Sequence, residues 1–217
     1  NAATRELWQY FAQYPLYWLE KTGHPAGMPR SASARGIDGL RCDFAQGLPS
    51  AFWEYCINRT RSVKWDFIFM AESLDGNRTV GGSPRHGVGY RSSRHFDVLN
   101  ENLVFYWRDD FFKYGDYGSA KPYTYPTWQA LDDRRNAYDV SPLLLNLTGH
   151  DEILPHDAQW RVVYAYATLA AVDGVPMLLY GQEAGLQNNG AHYTGRGIDG
   201  RNNFGRYEMN FGKSIPH

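Results

Sequence analysis

Short apolar runs, each ending in a polar or charged residue and separated by stretches with helical spacing, organise this chain. Residues 4–19 carry apolar side chains at Trp8, Phe11, Leu16 and Trp18 and predict a helix, with Pro15 as a bend. A Gly, Pro and Ser-rich loop follows to about Arg35, then a strand over 39–44 and a helix opening at Pro49, a residue that suits the first helical position. The run 65–70 is apolar apart from Asp66, as in a strand buried on both faces, and ends in Ala71-Glu72-Ser73. Residues 75–93 contain Gly76, Gly81, Gly82, Gly87 and Gly89 and predict a long loop. A weaker strand over 95–100 and helices over 103–114 and 127–138 come next. Residues 142–147 predict another buried strand, ending in Thr148-Gly149-His150-Asp151. Asp157 then caps a helix through Trp160, Val163, Tyr164, Ala167 and Leu169, and 175–179 forms the last strand. Alternating strands and helices without a low-complexity linker predict an α/β fold with a parallel sheet.

Composition narrows the picture. The chain has 217 residues, 43% of them hydrophobic, enough for one globular domain or a piece of one. Its formal net charge is −1, so no basic face is expected to neutralise phosphates or anionic lipid; neither nucleic acid nor membrane is an expected partner. No apolar stretch of about 18 residues occurs. Cys42 and Cys56 form neither a disulfide framework nor a metal-binding spacing and read as buried small hydrophobes. The aromatic share, 16%, suits a sugar site as well as an ordinary core. Sequons at Asn58, Asn77 and Asn146 carry little weight, the last falling in a predicted buried strand. The chain opens at Asn1 without Met and closes in a Gly- and Asn-rich run, so neither end reads as a gene boundary.

Three apolar strands end on their C-terminal side in Asp43, Glu72 and Asp151. In a parallel βα barrel those ends share one face, so residues distant in sequence converge on one pocket. Hydrolysis of a glycosidic bond with retention needs two carboxyl groups about 5 Å apart, one attacking the anomeric carbon and one protonating the leaving oxygen. Asp43 and Glu72 can supply that pair. Arg41, two residues before Asp43 on the same strand, faces the same side and favours its ionised form, while Cys42 points away towards the helices. The apolar Phe69-Met70-Ala71 preceding Glu72 is a setting that favours a protonated acid.

At these residues a family resemblance becomes specific. Gly39-Leu40-Arg41-Cys42-Asp43 resembles the G-x-R-x-D motif on the fourth barrel strand of the α-amylase family, glycoside hydrolase family 13. Phe69-Met70-Ala71-Glu72 resembles the fifth-strand motif, and His150-Asp151 the end of the seventh. The run Gly174-Val175-Pro176-Met177-Leu178-Leu179-Tyr180-Gly181-Gln182-Glu183 is similar to the eighth-strand segment, and Arg206-Tyr207-Glu208-Met209-Asn210-Phe211 to R-x-P-M-x-W, with Glu208 in place of Pro. The resemblance implies part of a (β/α)8 TIM barrel, strands 4 to 8, with residues 1–217 as the C-terminal half of the catalytic domain. A complete barrel takes eight strands and about 250 residues. The first half, an inserted domain and a C-terminal β-sandwich are then expected elsewhere in the same gene, making the missing barrel half a partner.

By the same resemblance Asp43 is the nucleophile, Glu72 the acid/base, and Asp151 the third catalytic acid, holding sugar hydroxyls. Arg41, His150 and Arg206 bind substrate. Tyr180 and Glu183 suit barrel packing as well as substrate contact. Two departures bear on the site. Gly149 replaces the usual Asn before His-Asp, and Gln46-Gly47 replaces the Lys-His that binds sugar on the leaving-group side, leaving Gln46 as the substrate-binding candidate there. No cofactor is expected for the chemistry, and a structural Ca2+ is compatible with the family. The implied activity is cleavage of α-1,4-glucosidic bonds in starch-like α-glucans or maltooligosaccharides, with an extracellular or periplasmic setting. The alternatives are a transglycosylase of the same family and a non-catalytic carbohydrate-binding or assembly relative; intact carboxylates speak against the second, and Gly149 speaks for it.

Overall fold

The computed structural model describes residues 1–29, 32, 34–73, 94–100, 141–146, 163, 166, 167, 169–171 and 173–179. The chain divides into two compact units, Asn1–Glu101 with Arg134–Pro142, and Asn102–Asp133 with Leu143–His217.

In the first unit, helix α1 spans Ala2–Lys21, helix α2 Ser50–Arg61, and strands β1 (Gly39–Cys42), β2 (Ile68–Glu72) and β3 (Val98–Asn100) form a parallel sheet in the order β1-β2-β3. Asn1 caps α1 by accepting from the Thr4 N–H at 2.8 Å, and Thr22 Oγ1 closes it by donating to the Trp18 carbonyl at 2.6 Å. The buried stripe of α1 is Ala12, Pro15 and Leu19, not the aromatic positions that the sequence singled out. Phe11 and Trp18 lie on an exposed face with Leu7, Tyr10, Tyr14 and Tyr17, where rings meet edge to face. α1 packs on α2, with Trp8 edge-on to Phe52. Pro49 is the residue before α2, not its first: its extended backbone and carbonyl open the helix, the latter accepting from the Phe52 N–H at 2.9 Å.

The side of the sheet facing α2 forms the core. Phe67, Phe69 and Ala71 from β2 and its approach, Leu99 from β3, and Phe52, Trp53, Cys56 and Ile57 from α2 are all buried. Each such large side chain contributes about 1.5–3 kcal/mol by leaving water. Trp53 packs on Phe96 at 5.0 Å, and the Arg61 guanidinium sits 5.9 Å from the centre of the Phe69 ring. β2 differs from the sequence expectation. It starts at Ile68, and its second face runs from Ile68, 47% exposed, through half-buried Met70 to buried Glu72. An apolar run does not separate one buried face from two, because only the neighbouring layer decides it.

Two polar ties and one close approach fix the strands that carry the site. Asp97 accepts from Arg61 Nη2 and from the Phe69 N–H, both at 2.7 Å, joining α2, β2 and the start of β3. The fully buried Lys64 donates to the Ile37 carbonyl at 3.0 Å and to Asp38 at 2.8 Å, holding the entry to β1 against the entry to β2. Gly39 allows the closest approach: a Cβ there would lie 2.4 Å from the Ile68 carbonyl oxygen, so any side chain would pry β1 from β2.

In the second unit, β4 (Leu144–Leu145) and β5 (Val175–Pro176) pair in parallel. The Val175 and Met177 N–H groups donate to the Leu143 and Leu145 carbonyls at 2.8 Å, so Pro176 sits where this pairing needs no donor. Residues 163, 166, 167, 169 and 170 are helical, with Leu169 buried and Val163 62% exposed. Asn146 is fully buried, so its sequon presents no acceptor at the surface. The expected helices over 103–114 and 127–138 and the loop over 75–93 lie outside the described residues.

Candidate active site

β1 and β2 run in register, Arg41 beside Met70 and Cys42 beside Ala71. One step further along the two strands lie Asp43 and Glu72. Parallel pairing carries both acids to the same end of the sheet, and strand alternation turns Arg41 and Asp43 to the side opposite Cys42. Arg41 joins them. Its Nη1 pairs with Asp43 Oδ1, and its Nη2 with Glu72 Oε1 at 2.8 Å. The two carboxylates are therefore held one guanidinium's width apart, the arrangement for which arginine's planar fork is suited.

The two acids differ in environment. The Asp43 side chain is 80% exposed at the mouth of the site, whereas Glu72 is 8% exposed and anchored at both oxygens. Its second partner is the Phe44 N–H, which donates to Oε2 at 2.6 Å. Phe44 reaches that position through a left-handed backbone, φ 46° and ψ 47°. A 3-10 turn, Ala45–Gly47, follows and is pinned to α2, where Trp53 Nε1 donates to the Ala45 carbonyl at 2.9 Å. Gln46 sits half-buried in that turn, its Oε1 buried without a hydrogen-bond partner among the described residues.

Asn100, at the C-terminal end of β3, pairs in register with Glu72 and is 9% exposed. The sequence reading passed it over, although a polar residue ending a short apolar strand is the same pattern that marked Asp43 and Glu72. His150, Asp151 and Arg206, with Gly149, Tyr180 and Glu183, lie outside the described residues. Among the described residues no group of three or more His, Cys, Asp or Glu side chains could hold a metal ion, and no helix is long and apolar enough to cross a membrane.

Behind the acids, Cys42 faces the α2 layer as its alternation requires. Burial, reinforced by the nearby Cys56 and opposed by Arg41, pushes its thiol up to about 12. Burial likewise pushes Cys56 up to about 11. Cys56 is the buried small hydrophobe that the sequence suggested, while Cys42 is only partly shielded from solvent. Both remain neutral thiols at pH 7, so a thiol-reactive dye at pH 8 is expected to label neither in the native protein and both in denaturant. Because the folded values exceed the ordinary 9.0, the unfolded chain loses these protons first. The associated stability is complete below about pH 9 and lost as pH rises towards 11 and 12. Rapid native labelling, or alkaline stability unchanged in a Cys42→Ala, Cys56→Ala variant, would contradict this.

No protein-family model matches the chain, and no curated protein does. Among solved structures, it is similar to an α-amylase from Anoxybacillus, at 17% identity and a TM-score of 0.68 over 99% of this chain and 42% of that one. An α-amylase from Geobacillus thermoleovorans, solved in complex with acarbose, aligns at 17% identity and a TM-score of 0.63, again over 99% and 42%. One from Lactobacillus plantarum aligns at 21% identity and a TM-score of 0.60 over 84% of this chain and 40% of that one. The chain thus spans about two-fifths of the length of these structures. What it shares with them is fold, a parallel α/β architecture matching part of an α-amylase structure.

Proposed function

We propose that this chain is the C-terminal half of the catalytic barrel of a retaining α-glycosidase that cleaves α-1,4-glucosidic bonds in starch-like glucans or maltooligosaccharides. In this reading β1 and β2 are the fourth and fifth barrel strands, and β4 and β5 the seventh and eighth. The observation that carries it is Arg41 holding Asp43 and Glu72 together at the C-terminal ends of adjacent parallel strands. The likeness in fold to the α-amylase structures supports it.

Asp43 attacks the anomeric carbon as the glycosidic C–O bond breaks and Glu72, which takes up a proton from solvent before this step because both its oxygens accept in the free chain, gives that proton to the leaving oxygen. Glu72, now a carboxylate, takes a proton from water, which displaces Asp43 and releases the sugar with its configuration retained. Asp151 and His150 hold the ring undergoing cleavage, Arg206 binds sugar deeper in the cleft, and Gln46 lies towards the leaving group. The remaining barrel strands are the expected partner. Their presence is supported by the exposed Leu7, Tyr10, Phe11 and Tyr14 on α1, and by β1, which among the described residues pairs only with β2.

Incubating the complete enzyme with maltoheptaose and separating the products by chromatography tests this. Shorter oligosaccharides released as the α-anomer are expected. Products longer than the substrate would assign transfer to sugar in place of water, and no cleavage would overturn the reading.

A further inference from the structure

In the proposed cycle Glu72 works in two protonation states, and the partners that reach it from β1 suit one of them. Arg41 Nη2 and the Phe44 N–H bond its two oxygens at 2.8 and 2.6 Å, and both groups only donate. They hold a carboxylate firmly. Once one oxygen carries the proton, it is the poorer acceptor, and the β1 side keeps a single strong bond. An acid aimed at a leaving oxygen then needs a second support, and β3 is the strand on its other flank.

Asn100 stands there. β2 and β3 pair Met70 with Val98, Ala71 with Leu99 and Glu72 with Asn100. Ala71 and Leu99 are fully buried in the core under α2, so by alternation Glu72 and Asn100 share the opposite face, which is also the face of Arg41. Paired neighbours in a sheet lie about 4.8 Å apart. The Ser73 N–H donates to the Asn100 carbonyl at 2.8 Å, carrying the ladder one step past Glu72 and fixing Asn100 beside it.

The residue type is informative because the position is buried. Glu72 is 8% and Asn100 9% exposed, each closing a strand that is otherwise apolar. An apolar side chain would extend β3 with no polar group to desolvate, whereas a buried amide destabilises the strand unless it is hydrogen-bonded. What an amide adds is a donor and an acceptor on one uncharged group, so it can meet a carboxyl that carries a proton and one that does not. A lysine or arginine there would only donate, and an ionised aspartate would only accept.

Resting on the hydrolase reading above, we infer that Asn100 is a positioning residue for Glu72: its amide braces the acid/base from β3 in both protonation states and keeps the O–H of the acid aimed at the leaving oxygen. Asn100 acts through Glu72 and not on the sugar.

The effect of removing it therefore depends on the leaving group. Cleavage of a maltooligosaccharide needs the proton of Glu72, whereas fluoride leaves α-maltosyl fluoride as an anion without it. In the complete enzyme Asn100→Leu, close in size but with no amide, is expected to lose about tenfold in kcat/KM on maltoheptaose, a part of the roughly 10²–10⁴-fold that a general acid supplies. On the fluoride it is expected to stay within about twofold of wild type. Asn100→Ala, which removes the amide without adding an apolar branch, is expected to show the same contrast. Both substrates are measured on one preparation, so an unfolded fraction lowers both rates alike and does not imitate the result. Equal losses on the two substrates, or a larger loss on the fluoride, would make Asn100 a support of the strand end or a sugar contact, and no loss on either would leave the amide without a role. Each of these overturns the inference while leaving the hydrolase reading intact. A wild-type enzyme inert towards both substrates would instead remove the hydrolase reading and this inference with it.

Discussion

Replacing Asp43 by Asn or Glu72 by Gln in the complete enzyme is expected to abolish turnover of maltooligosaccharides while leaving the far-UV circular dichroism spectrum unchanged. Removing a positioned general acid costs about 10²–10⁴-fold. The loss at the nucleophile is expected to be at least as large, because no neighbouring group replaces the covalent step. The structure sets different stability costs for the two changes. Asp43 is largely solvated, so its amide loses little beyond one partner. Glu72 accepts at both oxygens, from Arg41 and from the Phe44 N–H. Glutamine must turn an NH2 group towards one of those donors, at a cost of about 1–3 kcal/mol. Kinetics on maltoheptaose together with urea melts separate the two effects. Near-normal kcat/KM in either variant would end the proposed mechanism.

Arg41→Met is the second large effect. Without the guanidinium, Glu72 is left 8% exposed with its charge unpaired, and Asp43 loses the group that orients it. Breaking a fully buried pair costs about 3–5 kcal/mol. The Arg41 side chain is 26% exposed, so water reaches the gap and a loss of about 2–3 kcal/mol is expected. Adding Glu72→Gln removes the stranded charge, so the double variant is expected to be more stable than Arg41→Met alone while remaining inactive. Arg41→Lys cannot span both carboxylates and is expected to fall between. Denaturant melts of wild type, Arg41→Met, Glu72→Gln and the double variant measure the coupling, and additive losses would mean that Arg41 and Glu72 do not act as a pair.

Part of this arrangement is legible along the chain. The two-residue spacing of Arg41 and Asp43 puts them on one side of a strand because side chains alternate with a period of two, and the structure has them paired. The acids are conspicuous because each ends an apolar run, a place where burial gives no reason for a charge. Cys42, between Arg41 and Asp43, faces the helix layer by the same alternation. The order of strands and helices likewise predicts parallel pairing, which β1, β2 and β3 show.

Other features depend on neighbours that no local pattern names. The buried stripe of α1 is Ala12, Pro15 and Leu19 and not its more aromatic face, because the layer that a helix meets, and not its own apolarity, decides which side is covered. One face of β2 is covered only towards its C-terminal end, since burial belongs to the layer above and not to the strand. The Arg41–Glu72 bond needs the register that sets Cys42 beside Ala71; a slip of one residue would turn Glu72 away. Residue types and their alternation thus determined which side chains are available for chemistry and which way they point on a strand. Tertiary structure alone decided that one guanidinium holds two acids nearly thirty positions apart, and that Phe44 turns left-handed to reach Glu72, because each depends on the distance between strands that the sequence does not make neighbours.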